Sequence, residues 1–171
     1  MKGYARSTVW HFLHDAAEGL QHLHDHGIVH GDLKGNNILV SDNIAKLADF
    51  GLSIIASREE VPGSGDEGAL GAFRWKAPEC LMGARPTFAS DIYSFGMCII
   101  EVVTGKFPWG NSIPDEAVIH NVTQEKLIPA RPEVFSDAEW DLVTRMCSFD
   151  PELRMNAGAV VNCADYFAKN A

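Results

Sequence analysis

The 171 residues carry 14 Lys and Arg against 23 Asp and Glu, a formal net charge of −9. A field of that sign argues against a generic nucleic-acid or anionic-membrane binder, whose phosphate-rich partners need a basic surface. With 46% hydrophobic and 22% charged residues, the chain reads as one globular domain large enough to bury a core. No uninterrupted apolar stretch approaches transmembrane length, and residues 1 to 15 mix His, Arg and Lys with apolar residues, unlike a secretory signal. The expectation is a soluble cytoplasmic or nuclear protein with no membrane segment in this chain. Cys80, Cys98, Cys147 and Cys163 are widely spaced with no CxxC pair, so reduced thiols are expected, Cys98 and Cys147 buried in helices.

In chain order, the apolar residues Val9, Phe12, Leu13, Ala16, Ala17, Leu20 and Leu23 recur at helical spacing over Thr8 to Leu23. Ser7 or Thr8 is the expected cap and Gly27 the expected stop. Ile28-Val29 is a short β-branched run. Ile38-Leu39-Val40, a turn at Ser41-Asp42-Asn43, and Ile44 to Ala48 predict a hairpin over 37–48. Residues 56–71 are rich in Gly, Ser and acid and predict a flexible loop. Ala89 to Thr104 predicts a strongly apolar helix buried on most sides. Three more helices are expected near 115–125, 136–147 and 156–168, the second with Ser136 and Glu139 forming a capping box. The fold class is therefore mainly α with a small β-hairpin.

The densest chemistry lies in His30-Gly31-Asp32-Leu33-Lys34-Gly35-Asn36-Asn37 and, twelve residues later, Asp49-Phe50-Gly51. A carboxylate, a lysine and an amide within six positions, followed by a second carboxylate, suit a metal-bound phosphate placed beside a hydroxyl. The acid can take the proton, Lys can steady the transferring group, and Asn with Asp offer Mg²⁺ hard oxygen ligands. The plain alternative for Asp32 and Asn37 is a turn capped by its own polar side chains. Four such residues in register weigh against it.

These linked motifs resemble the catalytic loop and metal-binding turn of eukaryotic-type protein kinases, nearest the tyrosine-kinase-like group of serine/threonine kinases. The resemblance covers nearly the whole chain as a kinase C-terminal lobe: catalytic loop 30–37, activation segment 49–79, helical subdomain 80–171. It implies Asp32 as catalytic base, Lys34 as the γ-phosphate contact, Asn37 and Asp49 as Mg²⁺ ligands, and Leu39 as the apolar floor under adenine. It further implies structural roles for His30, Phe50 and Gly51. Glu79 of Ala77-Pro78-Glu79 should pair with Arg154, and Asp91 should hold the catalytic loop from below. The implied activity is transfer of the γ-phosphate of Mg²⁺-ATP to Ser or Thr of a protein substrate.

The chain also departs from the family pattern. Gly31 stands where Arg is usual, which removes one electrostatic reason for activation-loop phosphorylation. Ala72 stands where Thr is usual, and Met155 where Pro is common. Upstream parts of a complete kinase, namely the Gly-rich loop, the strand Lys and its helix Glu, have no counterpart here. An N-terminal lobe or companion domains are expected as partners. The literal GxGxxG at Gly63 to Gly68 carries Asp66 and Glu67 and reads as loop. The competing reading is a catalytically impaired pseudokinase or truncated lobe acting as a protein-binding scaffold. His22 and His26, spaced i,i+4, fit either a metal chelate or a helix end where cations favour the dipole.

Overall fold

A computed structural model describes residues 3–56 and 72–171. The chain runs α1 (Arg6–Asp25), β1 (Ile28–Val29), β2 (Ile38–Ser41), β3 (Ile44–Leu47), β4 (Ile54–Ile55), α2 (Pro78–Leu81), α3 (Phe88–Thr104), α4 (Asp115–Thr123), α5 (Asp137–Met146) and α6 (Ala157–Asn170). Short 3₁₀ turns at Gly35–Asn37 and Pro151–Leu153 complete it. This is the expected mainly helical kinase-like fold. The predicted loop at 56–71 and the GxGxxG stretch lie outside the described residues, apart from Ala56.

The apolar helix is the axle of the molecule. Ile92, Tyr93, Phe95, Met97, Cys98, Ile99 and Ile100 of α3 are all buried. Thr87 caps it through a reciprocal box with Ser90, and Gly105, in the left-handed region at φ 66°, stops it. The helix starts at Phe88, one residue before the expected Ala89. Gly96 lets α5 approach closely, since a Cβ there would stand 2.5 Å from Cys147 Sγ. Cys98 and Cys147 are buried as expected, although Cys147 sits one residue past α5. Burial pushes the Cys147 thiol up to about 12, so it is chemically inert at neutral pH.

On one side of this axle α1 packs along α6, with Trp10 and Phe167 in ring contact at 4.7 Å. The start of α1 corrects the expectation. Ser7 and Thr8 lie inside the helix, and the N-cap residue Ala5 supplies no side-chain hydrogen bond. Arg6 fixes the entry instead. Its guanidinium donates to Glu139 at 3.0 and 2.8 Å, and the Trp10 indole N–H donates to the same carboxylate. Glu139 also closes the predicted capping box with Ser136. One carboxylate therefore caps α5 and clamps α1. Burial alone would raise it, but hydrogen bonds from Arg6, the Ser136 backbone and Trp10 outweigh burial and hold it below its ordinary 4.5.

The predicted hairpin forms as β2–β3, with register Ile38↔Leu47 to Ser41↔Ile44. Its two-residue turn holds Asp42 and Asn43 at φ 53° and 61°, as the favoured hairpin turn requires. The run Ile28-Val29 finds a partner that sequence did not indicate, pairing with Ile54–Ile55 of β4. Between α2 and the end of the chain, Arg154 donates to Glu79 in a two-pronged pair at 2.6 and 2.8 Å. The Arg154 side chain is wholly buried and also donates to the carbonyls of Ser148, Ala89 and Phe149.

Two outcomes are expected. Glu79→Ala leaves the buried Arg154 charge unpaired and should cost about 3–5 kcal/mol in urea unfolding; a loss under about 1 kcal/mol would show the pair to be dispensable. Glu139→Gln should cost about 1–3 kcal/mol at neutral pH. Because the folded-state pKa of Glu139 is depressed, its stabilisation is present above the ordinary glutamate value and disappears as pH falls through the folded one. The gap between wild type and Glu139→Gln should therefore narrow on acidification, as pH-resolved urea titrations would read.

Candidate active site

The site begins with a buried charge. Asp91, on the first turn of α3, is 1% exposed. Its Oδ1 accepts the Gly31 backbone N–H at 2.9 Å, and its Oδ2 accepts the His30 backbone N–H at 2.8 Å. The same Oδ2 takes the His24 ring Nε2–H at 2.9 Å. Three donors from α1 and the following loop thus converge on one carboxylate and fix where residues 30 and 31 lie. The fully buried His30 continues the frame. Its Nε2–H donates to the Ala48 carbonyl at 3.1 Å, and its Nδ1 accepts from the Asp32 N–H at 3.4 Å.

From this frame the polar groups emerge together. Lys34 Nζ lies 2.6 Å from Asp32 Oδ2. The Asn37 amide donates to the Asp32 carbonyl at 2.7 Å and to Asp32 Oδ2 at 3.3 Å. Its amide N–H groups are spent inside the loop, so Asn37 has only its carbonyl oxygen left to offer a ligand. The Asn37 main-chain carbonyl accepts the Ala48 N–H at 2.9 Å, which brings Asp49 to the open end of the hairpin beside it. Asp49 is exposed, sits at φ 63°, and among the described residues accepts only a long 3.4 Å bond from the Gly51 N–H. Asp tolerates this left-handed backbone better than most residues.

The remaining predicted residues split by burial. Phe50 stacks obliquely 5.4 Å from the His30 ring but is 51% exposed, and Leu39 is 55% exposed. With Val40, Ile44 and Ile55 they leave exposed apolar side chains on the short strands and the turn at Phe50. Ser53 anchors the turn by donating to the His30 carbonyl at 3.2 Å. Of the histidine pair at the end of α1, His26 Nδ1 bonds the His22 carbonyl at 2.7 Å, which favours the helix-end reading. Trp109 packs against the core at φ 69°, in line with local packing.

Sequence reasoning missed two residues. Glu101 Oε2 accepts the Gly35 backbone N–H at 2.8 Å and the Trp75 indole N–H at 2.9 Å. It ties the loop bearing Asp32 to the chain entering α2. Burial raises its carboxyl above the ordinary value, against the lowering effect of those two bonds. Its signal was a lone acid in the apolar run Ile99-Ile100-Glu101-Val102-Val103. Arg74 reaches the carbonyls of Gly110 and Ile113 at 2.6 Å each and Asp115 at 2.9 Å, fixing the stretch after Ala72. A single exposed-looking Arg gave no local hint of that.

Over residues 2–167 the chain matches the protein kinase domain. The chain belongs to the protein kinase domain family. It is 35% identical to mitogen-activated protein kinase kinase kinase 2 of Arabidopsis thaliana, over 92% of this chain and 24% of that protein. It is 36% identical to cytokinesis protein sepH of Emericella nidulans, over 90% of this chain and 11% of that protein. Serine/threonine/tyrosine-protein kinase HT1 of Arabidopsis thaliana shares 32% identity over 90% of this chain and 38% of its own length. These relatives support a place near the tyrosine-kinase-like group. The chain spans about a quarter or less of the length of the first two.

Within this protein kinase domain, the departures at Gly31 and Ala72 acquire physical meaning. Gly31 adopts φ 80°, and a Cβ there would stand 3.0 Å from the Leu52 carbonyl oxygen. Glycine relieves both the backbone strain and that contact. Ala72 is buried and, unlike Thr, brings no hydroxyl to this position. Gly35 is more tightly constrained, since a Cβ there would fall 2.5 Å from the Glu101 carboxyl. Gly35→Ala should displace Glu101, break its bonds to Gly35 and Trp75, and destabilise the lobe by about 1–3 kcal/mol. Unchanged tryptophan emission together with an unchanged unfolding midpoint would contradict the steric argument.

Proposed function

We propose that this chain is the catalytic lobe of a protein serine/threonine kinase, which moves the γ-phosphate of ATP to Ser or Thr hydroxyls of a protein. The reading rests on one observation above the others: Asp32, Lys34 and Asn37 form a single hydrogen-bonded cluster, with Asp49 next to it at the hairpin's open end. Catalytic loop 30–37, activation segment 49–79 and helical subdomain 80–171 are the corresponding divisions.

In this reading Asp32 orients the acceptor hydroxyl and accepts its proton. Lys34 now neutralises Asp32 and would turn to the transferring phosphoryl group. The side-chain oxygens of Asn37 and Asp49 fit a hard cation, since the Asn37 amide N–H groups are engaged elsewhere and Asp49 is exposed. Mg²⁺ there would neutralise charge on the phosphate oxygens. Leu39 would underlie adenine, and the exposed apolar side chains around it would meet a companion lobe. The Gly31–Asp91 bond sets the loop without the Arg whose charge a loop phosphate commonly neutralises, so activity that needs no loop phosphorylation through that route follows. Ser57 and Ser64, the loop sites at issue with Ser53, lie outside the described residues. No helix among the described residues is long and apolar enough to cross a membrane, and a cytoplasmic site of action is part of the proposal.

One observation favours a scaffold instead: the buried Ala72 offers no hydroxyl to bridge acid and lysine. The two readings separate on Asp32→Asn, assayed in the protein that carries this chain. Phosphotransfer should fall about 10²–10⁴-fold while binding of a fluorescent nucleotide persists. Undiminished turnover would remove Asp32 from the chemistry, and no turnover in the wild type would leave the scaffold.

A further inference from the structure

Away from the candidate active site, α1 carries a cluster that mixes an imidazole with carboxylates. His14 Nδ1 lies 3.9 Å from Asp15 Oδ1 and 3.8 Å from Glu18 Oε2. One donor atom from each of the three residues falls within 4.8 Å of the others. Positions 14 and 18 are one turn apart on a helix face, with 15 beside them. His11, a turn earlier, brings Nε2 to 3.9 Å from the same Asp15 oxygen.

Three features separate this cluster from an ordinary solvated face. Asp15 is oriented from outside: its Oδ2 accepts the Ala45 backbone N–H of β3 at 3.0 Å, which leaves Oδ1 facing the imidazoles. Outer-shell bonds of this kind orient ligands in metal sites. The donor atoms are also not consumed by one another, because 3.8–3.9 Å exceeds hydrogen-bonding distance. A tetrahedral ion with bonds of about 2.0–2.1 Å would need edges of about 3.3–3.4 Å, so the two His14 distances would shorten by about 0.5 Å. Finally, among the described residues neither carboxylate pairs with Lys or Arg. His14 and Asp15 are sheltered at 18% and 15% side-chain exposure, and Glu18 is open at 61%.

We propose that His14, Asp15 and Glu18 bind a divalent transition-metal ion of the Zn²⁺ class. A nitrogen donor beside two oxygens selects such ions over Mg²⁺ and Ca²⁺, which prefer all-oxygen shells. Since the second Asp15 oxygen holds Ala45, the ion staples α1 to β3, four residues before Asp49.

The test is calorimetric titration of the chain with Zn²⁺ in excess Mg²⁺, which occupies oxygen-only sites. One Zn²⁺ per chain is expected, with weaker binding as pH falls because protons compete for the imidazole. His14→Ala and Glu18→Gln should each weaken binding by about tenfold or more, while His22→Ala leaves it unchanged. Glu18 is exposed, so its variant keeps the test independent of any folding defect in His14→Ala. No Zn²⁺ binding, equal binding of Ca²⁺, binding that survives Glu18→Gln, or binding lost in His22→Ala would each overturn the assignment.

Discussion

The buried carboxylate of Asp91 is the constraint from which the rest of the lobe follows. An ionised group at 1% exposure must have its hydration replaced by fixed donors, or the fold bears several kilocalories of penalty. Here the donors are two successive backbone N–H groups, from His30 and Gly31, and one imidazole from α1. Satisfying the charge therefore requires the loop to pass over the first turn of α3 in one conformation. Asp32, Lys34 and Asn37 inherit that placement within a few residues. Those side chains are positioned by a carboxylate that lies outside their own cluster.

Steric exclusion completes what the charge begins. Gly31 lies in a backbone region that disfavours side chains, and Gly35 leaves room for the Glu101 carboxyl alone. Glu101 and Asp91 sit on the same helix ten residues apart, so α3 grips the loop at both ends. Trp75 shares the Glu101 carboxylate, and Arg74 fastens the adjoining residue to the segment around Gly110. The loop bearing Asp32 and the chain entering α2 are thus both tied to α3. This arrangement suits a site in which two chemical partners must be held in mutual register.

What could be read from the sequence follows the range of the forces involved. The β2–β3 hairpin, the Ser136–Glu139 box and the apolar period of α3 are local patterns, and each appeared where periodicity and turn chemistry placed it. The polar residues at 30–51 stood out because their chemistry is concentrated in a short span. Contacts between distant residues left weaker marks. The start of α1 is set by Glu139, 133 residues away, so the nearby Ser7 and Thr8 misled. The β1–β4 ladder is two residues long, too short for alternation to announce it. Glu101 looked like one acid in an apolar helix until its two donors, 66 and 26 residues distant, were seen.

The packing of α1 against α6 has a consequence for how the lobe is made. The Trp10–Phe167 contact joins residues near opposite ends of the chain. At about 5–20 residues per second, roughly eight to thirty seconds separate synthesis of the two residues. Throughout that interval Trp10 has no native cover from α6. Closure must then bear the loop entropy of nearly the whole chain before any of that contact is gained. The α1–α6 seam is thus among the contacts that become available latest as these residues are synthesised.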